Sequence, residues 1–409
     1  MSNGLEKAES IVGSVQKNIT TERNGNNDVV GKNEFGKRIV IGLDYEMGQL
    51  RLGMILPWTV FDSKRRSLLR KGMSIDTQEQ MSLLTDQGVY RSDDHGHSAR
   101  SLQDRSSIPF FVIGEWMGRL NTMLHVIAAR VPNFSVAELD DLCVAIQVMC
   151  AEDADAALAA VHLDRDGKYG VRHLIHSALL VELVTTRMGE APDDRQRVIA
   201  ATLTANVGML ELQEQLLKQG GITAAQRQEI NHHPEHSAAL LRQAGVRDEL
   251  WLEIVLQHHE RLDGSGYPRG LRLDEIHEGA RIMAIADIYH AMISERVYRS
   301  GMRPTDALRQ VLLAQGPDID PTLSEMFIKE LGVYPPGTFV RLANGDVAIV
   351  THRGQEDISP RVASVITPRG VAYPRPLPRD PATKEWAISE LMARDESLLL
   401  TDLVPLWGY

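Results

Sequence analysis

The residues best suited to chemistry stand together in Gln257-His258-His259-Glu260-Arg261-Leu262-Asp263-Gly264-Ser265-Gly266-Tyr267-Pro268. Two adjacent imidazoles close an apolar run, Leu252 to Leu256, that reads as helix, and a carboxylate follows them. The Gly/Ser/Pro cluster beyond requires a tight loop, with Gly264 and Gly266 able to take positive φ. An isolated His-His pair is ordinarily surface or satisfied core. Joined to an acid and a glycine loop, it describes a metal site with a close backbone rim.

Other candidate ligands lie apart in the chain: His233 within His232-His233-Pro234-Glu235-His236, Asp287 within Ala284-Ile285-Ala286-Asp287, and His176 within Arg172-His173-Leu174-Ile175-His176. Singly, each has a structural explanation: Asp287 as a cap or a partner of Arg281, His176 as a hydrogen-bonded core histidine, His233 as a surface residue. Their joint order carries the weight.

The elements that must position them are helices. Apolar periodicity and caps predict helices near Phe110 to Arg130, Ser135 to Cys150, Asp153 to His162, Val171 to Met188, Asp193 to Leu217, Ala224 to Ala244, Asp248 to His259, Gly279 to Ser294, Thr305 to Ala314 and Pro321 to Leu331. Pro321 behind Asp320 sets the last start. The chain is thus mainly α, a helical region over 108–335 with flanking parts. Residues 1–36 read as a disordered tail, and 37–92 as a small β-rich α+β accessory domain with an Asp76/Glu79 capping box. A charged linker occupies 93–107. A β element spans 336–375, with Asn344-Gly345 as a hairpin turn and Val362 to Ile366 as a third strand, before a polar tail over 376–409.

Composition sets bounds. In 409 residues the net charge is −11, against an extended nucleic-acid or anionic-membrane surface while leaving room for a local basic pocket. Cys143 and Cys150, seven residues apart on one expected helix, cannot bridge, so a reducing compartment is expected. No signal pattern or membrane span is evident, and a cytoplasmic protein is expected.

The segment His258-His259-Glu260-x-x-Asp263-Gly264-x-Gly266-Tyr267-Pro268 resembles the signature of the HD-GYP family, bacterial cyclic di-GMP phosphodiesterases of the HD phosphohydrolase superfamily. Ala280-Arg281-Ile282 leading to Ala286-Asp287, then Arg296-Val297-Tyr298-Arg299, matches the downstream pattern, and His233-Pro234 matches the family's H-P, with Ser237 where glycine is usual. The resemblance covers about residues 165 to 335. It implies an HD-type all-helical bundle, metal ligands at His176, His233, His258, His259 and Asp287, and a ligand-facing Tyr267, Pro268, Arg296 and Arg299. Glu260, Asp263, Gly264 and Gly266 would fix the loop.

One motif departs. Where the family has H-D-x-G-K, this chain has Ala205-Asn206-Val207-Gly208-Met209, and Arg172 stands where the family has a further acidic ligand. Neutral Asn206 cannot bridge two dications, whose mutual repulsion needs an anion between them. The expectation is therefore one divalent metal (Fe, Mn or Zn) on His233, His258 and His259, or none. Cyclic di-GMP, a related dinucleotide or a signalling protein would bind through the Gly-Tyr-Pro loop, with hydrolysis weak or absent. The alternative is an active phosphodiesterase on the reduced three-histidine site.

Overall fold

The computed structural model describes residues 109–132, 134–219, 221–295, 301–313, 319–354, 359–394 and 404–407, together with Ile75, Thr77, Gln80 and six short strands before residue 92. Two compact units divide at 100/101, inside the expected linker.

In the first unit, strands at Thr20–Arg23, Val29–Lys32 and Arg38–Val40 pair antiparallel, as do Val60–Phe61, Ser67–Leu69 and Tyr90–Arg91. The first two lie within the stretch read as a tail; the signal for them was Asn24-Gly25 before Val29-Val30, a hairpin cue like that at 344–345. Asp76 and Glu79 lie outside the described residues. The reciprocal capping bonds join Thr77 and Gln80, each 3.2 Å.

The second unit is mainly helical: α1 (Pro109–Ala128), α2 (Val136–Glu152), α3 (Ala154–Leu163), α4 (Tyr169–Met188), α5 (Pro192–Thr204), α6 (Leu210–Lys218), α7 (Ala224–Ala244), α8 (Glu249–Gln257), α9 (Glu278–Ile293), α10 (Pro304–Leu313) and α11 (Pro321–Leu331). α4 is the central helix, buried along nearly its whole length from Tyr169 to Thr185. Such all-round burial suits its run of Val, Leu, Ile and Ala. Asp320 caps α11 through the backbone N–H groups of Thr322 and Leu323, as the Pro321 reading required. The long helix expected from Asp193 to Leu217 is broken: Asn206 leaves helical geometry at φ −97°, ψ 11°, and a 3-10 turn, Val207–Met209, redirects the chain into α6.

The C-terminal element is larger than a hairpin. β1 (Phe339–Leu342), β2 (Val347–His352), β3 (Arg361–Ile366), β4 (Ala372–Arg379) and β5 (Ile388–Leu391) form one antiparallel sheet in the order β4-β3-β2-β1-β5. The Asn344-Gly345 turn joins β1 and β2 with Gly345 at φ +90°. β4 escaped the sequence reading because Pro374, Pro376 and Pro378 argue against a strand. It is an edge strand with an irregular register, where proline is tolerated. One sheet face packs Phe339, Ile349 and Val365 on Ala156, Ala159 and Leu163 of α3, with Trp407 joining the same cluster. Both cysteines are buried and free.

Candidate metal centre

His233 comes from the middle of α7, and His258 and His259 follow the end of α8. Their ligand atoms lie within 4.8 Å of one another. Nδ1 of His233 meets the Ile230 carbonyl at 2.7 Å, and Nδ1 of His258 meets the Val255 carbonyl at 2.7 Å. A carbonyl only accepts, so both Nδ1 atoms carry the hydrogen and both Nε2 atoms present lone pairs. Those two Nε2 atoms face each other at 3.2 Å. Two nitrogens bound tetrahedrally at ~2.0–2.1 Å to one ion stand about 3.3 Å apart, so the spacing fits a shared cation.

Protonation supports the fit. Burial pushes His233 down to about 3 and His258 down to about 4, and burial with the neighbouring imidazoles takes His259 well below the usual range. Near neutral pH these rings are uncharged ligands, the form a metal needs.

The glycine loop stands over this cluster. The Tyr267 ring lies over His259, centroids 4.8 Å apart and tilted 34°, and its backbone N–H donates to the His259 carbonyl at 3.2 Å. Burial, with the field of Asp287, raises the Tyr267 phenol, which stays neutral. Glu260 is buried and accepts from the backbone N–H groups of Arg269 (2.7 Å) and Leu271 (3.0 Å). Asp263 accepts from Ser265 N–H at 2.9 Å. Gly264 takes φ +79°, and a Cβ on Gly266 would come within 2.4 Å of Arg261 N, so that position admits no side chain. Tyr267-Pro268 is cis. Arg296 and Arg299 lie outside the described residues.

Asp287 and His176 are not members of the three-histidine group. Asp287 accepts from His173 Nε2 at 2.7 Å, and Arg281 pairs instead with Asp320, also at 2.7 Å. His176 Nδ1 meets His290 Nε2 at 3.1 Å, and His290 Nδ1 meets His173 Nδ1 at 2.7 Å. His176 Nε2 faces Asp164 Oδ2 at 3.5 Å. The sequence reading did not single out His173, His290 or Asp164 as site residues. The spacing His173/His176 and Asp287/His290, each i,i+3 on one helix face, was the available signal.

The altered motif keeps its backbone frame. Gly208 N–H donates to Ser237 Oγ at 2.9 Å, and a Cβ on Gly208 would meet Ser237 N at 2.8 Å and the His233 carbonyl at 3.0 Å. Ser237 thus supplies a bond that glycine could not. Ala205 is fully buried within the main hydrophobic cluster, Asn206 is buried with Oδ1 unpartnered, and Met209 is half-buried. Arg172, in place of an acid, donates through Nη1 to the carbonyls of Arg165 (2.5 Å), Asp166 (3.2 Å) and Gly167 (3.3 Å). It ties down the turn that carries Asp164.

Residues 156–323 match the family model described as HD domain. Together with the relatives below, that match makes this part of the chain an HD phosphohydrolase domain of the HD-GYP type. A cyclic di-GMP phosphodiesterase of Pseudomonas aeruginosa is 31% identical over 229 residues, covering 55% of this chain and 55% of that protein. A probable cyclic di-GMP phosphodiesterase of Vibrio cholerae is 31% identical over 192 residues, 42% of this chain and 43% of its own. A 3'3'-cGAMP-specific phosphodiesterase of the same species is 29% identical over 174 residues, 42% and 38%. The chain spans about half the length of the first two relatives, 55% and 43%. A solved HD-GYP-type protein of Bdellovibrio bacteriovorus aligns with 69% of this chain and 97% of its own at 15% identity and a TM-score of 0.45. Among the described residues no helix is long and apolar enough to cross a membrane.

Proposed function

We propose that this domain binds one divalent ion (Fe, Mn or Zn) at His233, His258 and His259 and a cyclic dinucleotide, cyclic di-GMP or a relative of it, beside the Gly-Tyr-Pro loop, with phosphodiester hydrolysis weak or absent. The observation that carries the reading is the convergence of two carbonyl-tied imidazoles at 3.2 Å, next to a motif reduced to Ala205, Asn206 and Met209. An ion there supplies Lewis acidity toward a phosphoryl oxygen. Asn206 lacks the charge to hold a second ion beside it, and Met209 offers no cation to a developing phosphoryl charge. Relatives named for cyclic di-GMP and for 3'3'-cGAMP support the ligand class.

The test is turnover and binding of both dinucleotides by protein loaded with Fe, Mn or Zn. Binding at tens of micromolar without turnover is expected. Brisk metal-dependent hydrolysis abolished by His258→Ala would overturn the impaired reading in favour of an active one-ion enzyme, and no binding would leave the loop to a protein partner. Asn206→Asp with Met209→Lys is the first restoration to try. Ala205→His forces a ring into a closed core, at a cost of about 1–3 kcal/mol.

A further inference from the structure

We propose that Pro234 is a positioning residue for the metal centre: by taking one N–H out of α7 it leaves the Ile230 carbonyl to the His233 ring, which directs Nε2 of that ring at the site shared with His258. This rests on the one-ion reading above.

In an α-helix each N–H donates to the carbonyl four residues back. Within α7 the N–H due to Ile230 belongs to residue 234, and proline has none. The helix does not end there: it continues to Ala244, and Pro234 is buried within it. Proline is the least favourable residue for a helix interior, so its place directly after a candidate ligand is a local cost that the helix itself does not explain. The oxygen it leaves open is the one His233 uses. Side chains on a helix lean toward its N-terminus, over the preceding turn, and Nδ1 of His233 donates to the Ile230 carbonyl at 2.7 Å. A carbonyl has no hydrogen to give, so Nδ1 carries one whatever the charge of the ring, and only Nε2 is left to ligate.

The neighbouring histidines on α7 behave otherwise. His232 Nδ1 lies 3.1 Å from Glu235 Oε2, and His236 Nδ1 donates to the Gly208 carbonyl at 2.9 Å, outside the helix. Of the three, only the ring before Pro234 bonds to a carbonyl of its own helix. His258 reaches the same arrangement by another route. Its Nδ1 donates to the Val255 carbonyl at 2.7 Å, in the last turn of α8, where carbonyls run out of helical N–H donors. Two main-chain oxygens, one opened by a proline and one by a helix end, thus bring two Nε2 atoms to 3.2 Å.

The experiment restores the missing donor, with Pro234→Ala and Pro234→Gly in the full chain. It reads Co(II) affinity with the visible d–d band, the Tm of the ion-free protein, and the ring-nitrogen NMR signals of His233, which separate Nδ1–H from Nε2–H. Both variants are expected to bind Co(II) about 10–100-fold more weakly, with a displaced band and part of the His233 ring moved to Nε2–H. The ion-free Tm should rise, more in Pro234→Ala than in Pro234→Gly, following helix propensity. Weaker binding by a more stable chain is a pairing that a merely structural proline would not give. Unchanged affinity and ring signals in both variants would overturn the proposal, as would an affinity loss that follows the Tm change instead of being alike in the two. A wild type that retains no ion sinks the one-ion reading, while the ring signals of the ion-free chains still decide the role of Pro234.

Discussion

Two clusters of three imidazoles lie in the same domain, and burial separates them little: His233 and His258 are as enclosed as His173, His176 and His290, and only His259 is half-buried. What differs is the partner of Nδ1. In the first cluster two Nδ1 atoms donate to main-chain carbonyls of their own helical turns, leaving Nε2 lone pairs directed at each other. In the second the rings donate to one another and end on Asp287. A histidine is free to ligate when the backbone takes its hydrogen and its other nitrogen stays open, and is a relay member when another ring takes that hydrogen.

The comparison can be broken most directly by removing metal. An ion at 100 to 1,000 times its Kd stabilises the folded state by about 2.7–4.1 kcal/mol. Chelator should therefore lower the Tm of wild type and of His176→Ala, and leave His258→Ala unmoved. Equal chelator sensitivity in all three would erase the distinction.

His162 sharpens it as a buried histidine with neither role. Its Nδ1 donates to the Pro336 carbonyl at 2.6 Å and its Nε2 accepts from Tyr289 at 2.7 Å, while burial pushes its pKa down to about 3. The unfolded chain takes up that proton near pH 6.5 and the folded chain does not. Stability from this group is thus full above about pH 6.5 and falls with pH toward 3, by up to about 3 kcal/mol at pH 4. Urea midpoints at pH 7 and pH 4 should converge in His162→Gln more than in wild type.

Smaller effects test the support of the first cluster alone. Glu260→Ala strands the N–H groups of Arg269 and Leu271, a cost of about 1–3 kcal/mol. Hydrogen exchange should quicken across 264–272 and dinucleotide binding weaken, with the ion retained. Ser237→Ala removes one bond to Gly208, about 1 kcal/mol, read as a small drop in Tm.

Much of the fold was legible from local pattern. The cap at Asp320, the turn at Asn344-Gly345 and the helix of His258 are short-range signals, and each lies where periodicity and turn chemistry put it. β4 was hidden by its three prolines because only its place at the sheet edge makes them harmless. The break after Thr204 was hidden because Ala205-Asn206 reads as helix until Gly208 is packed on α7.

By itself, the sequence determined most of the helices and the glycine loop, since contiguous residues carry them, and it named His233 with His258 and His259 as candidates through two separate motifs. Tertiary structure alone decided the second cluster. His173 and His290 are separated by 117 positions, Asp164 enters from the turn before α4, and Arg172 anchors that turn through three carbonyls. Which atom receives each imidazole hydrogen depends on where the chain places an acceptor, and that is a property of packing rather than of residue type.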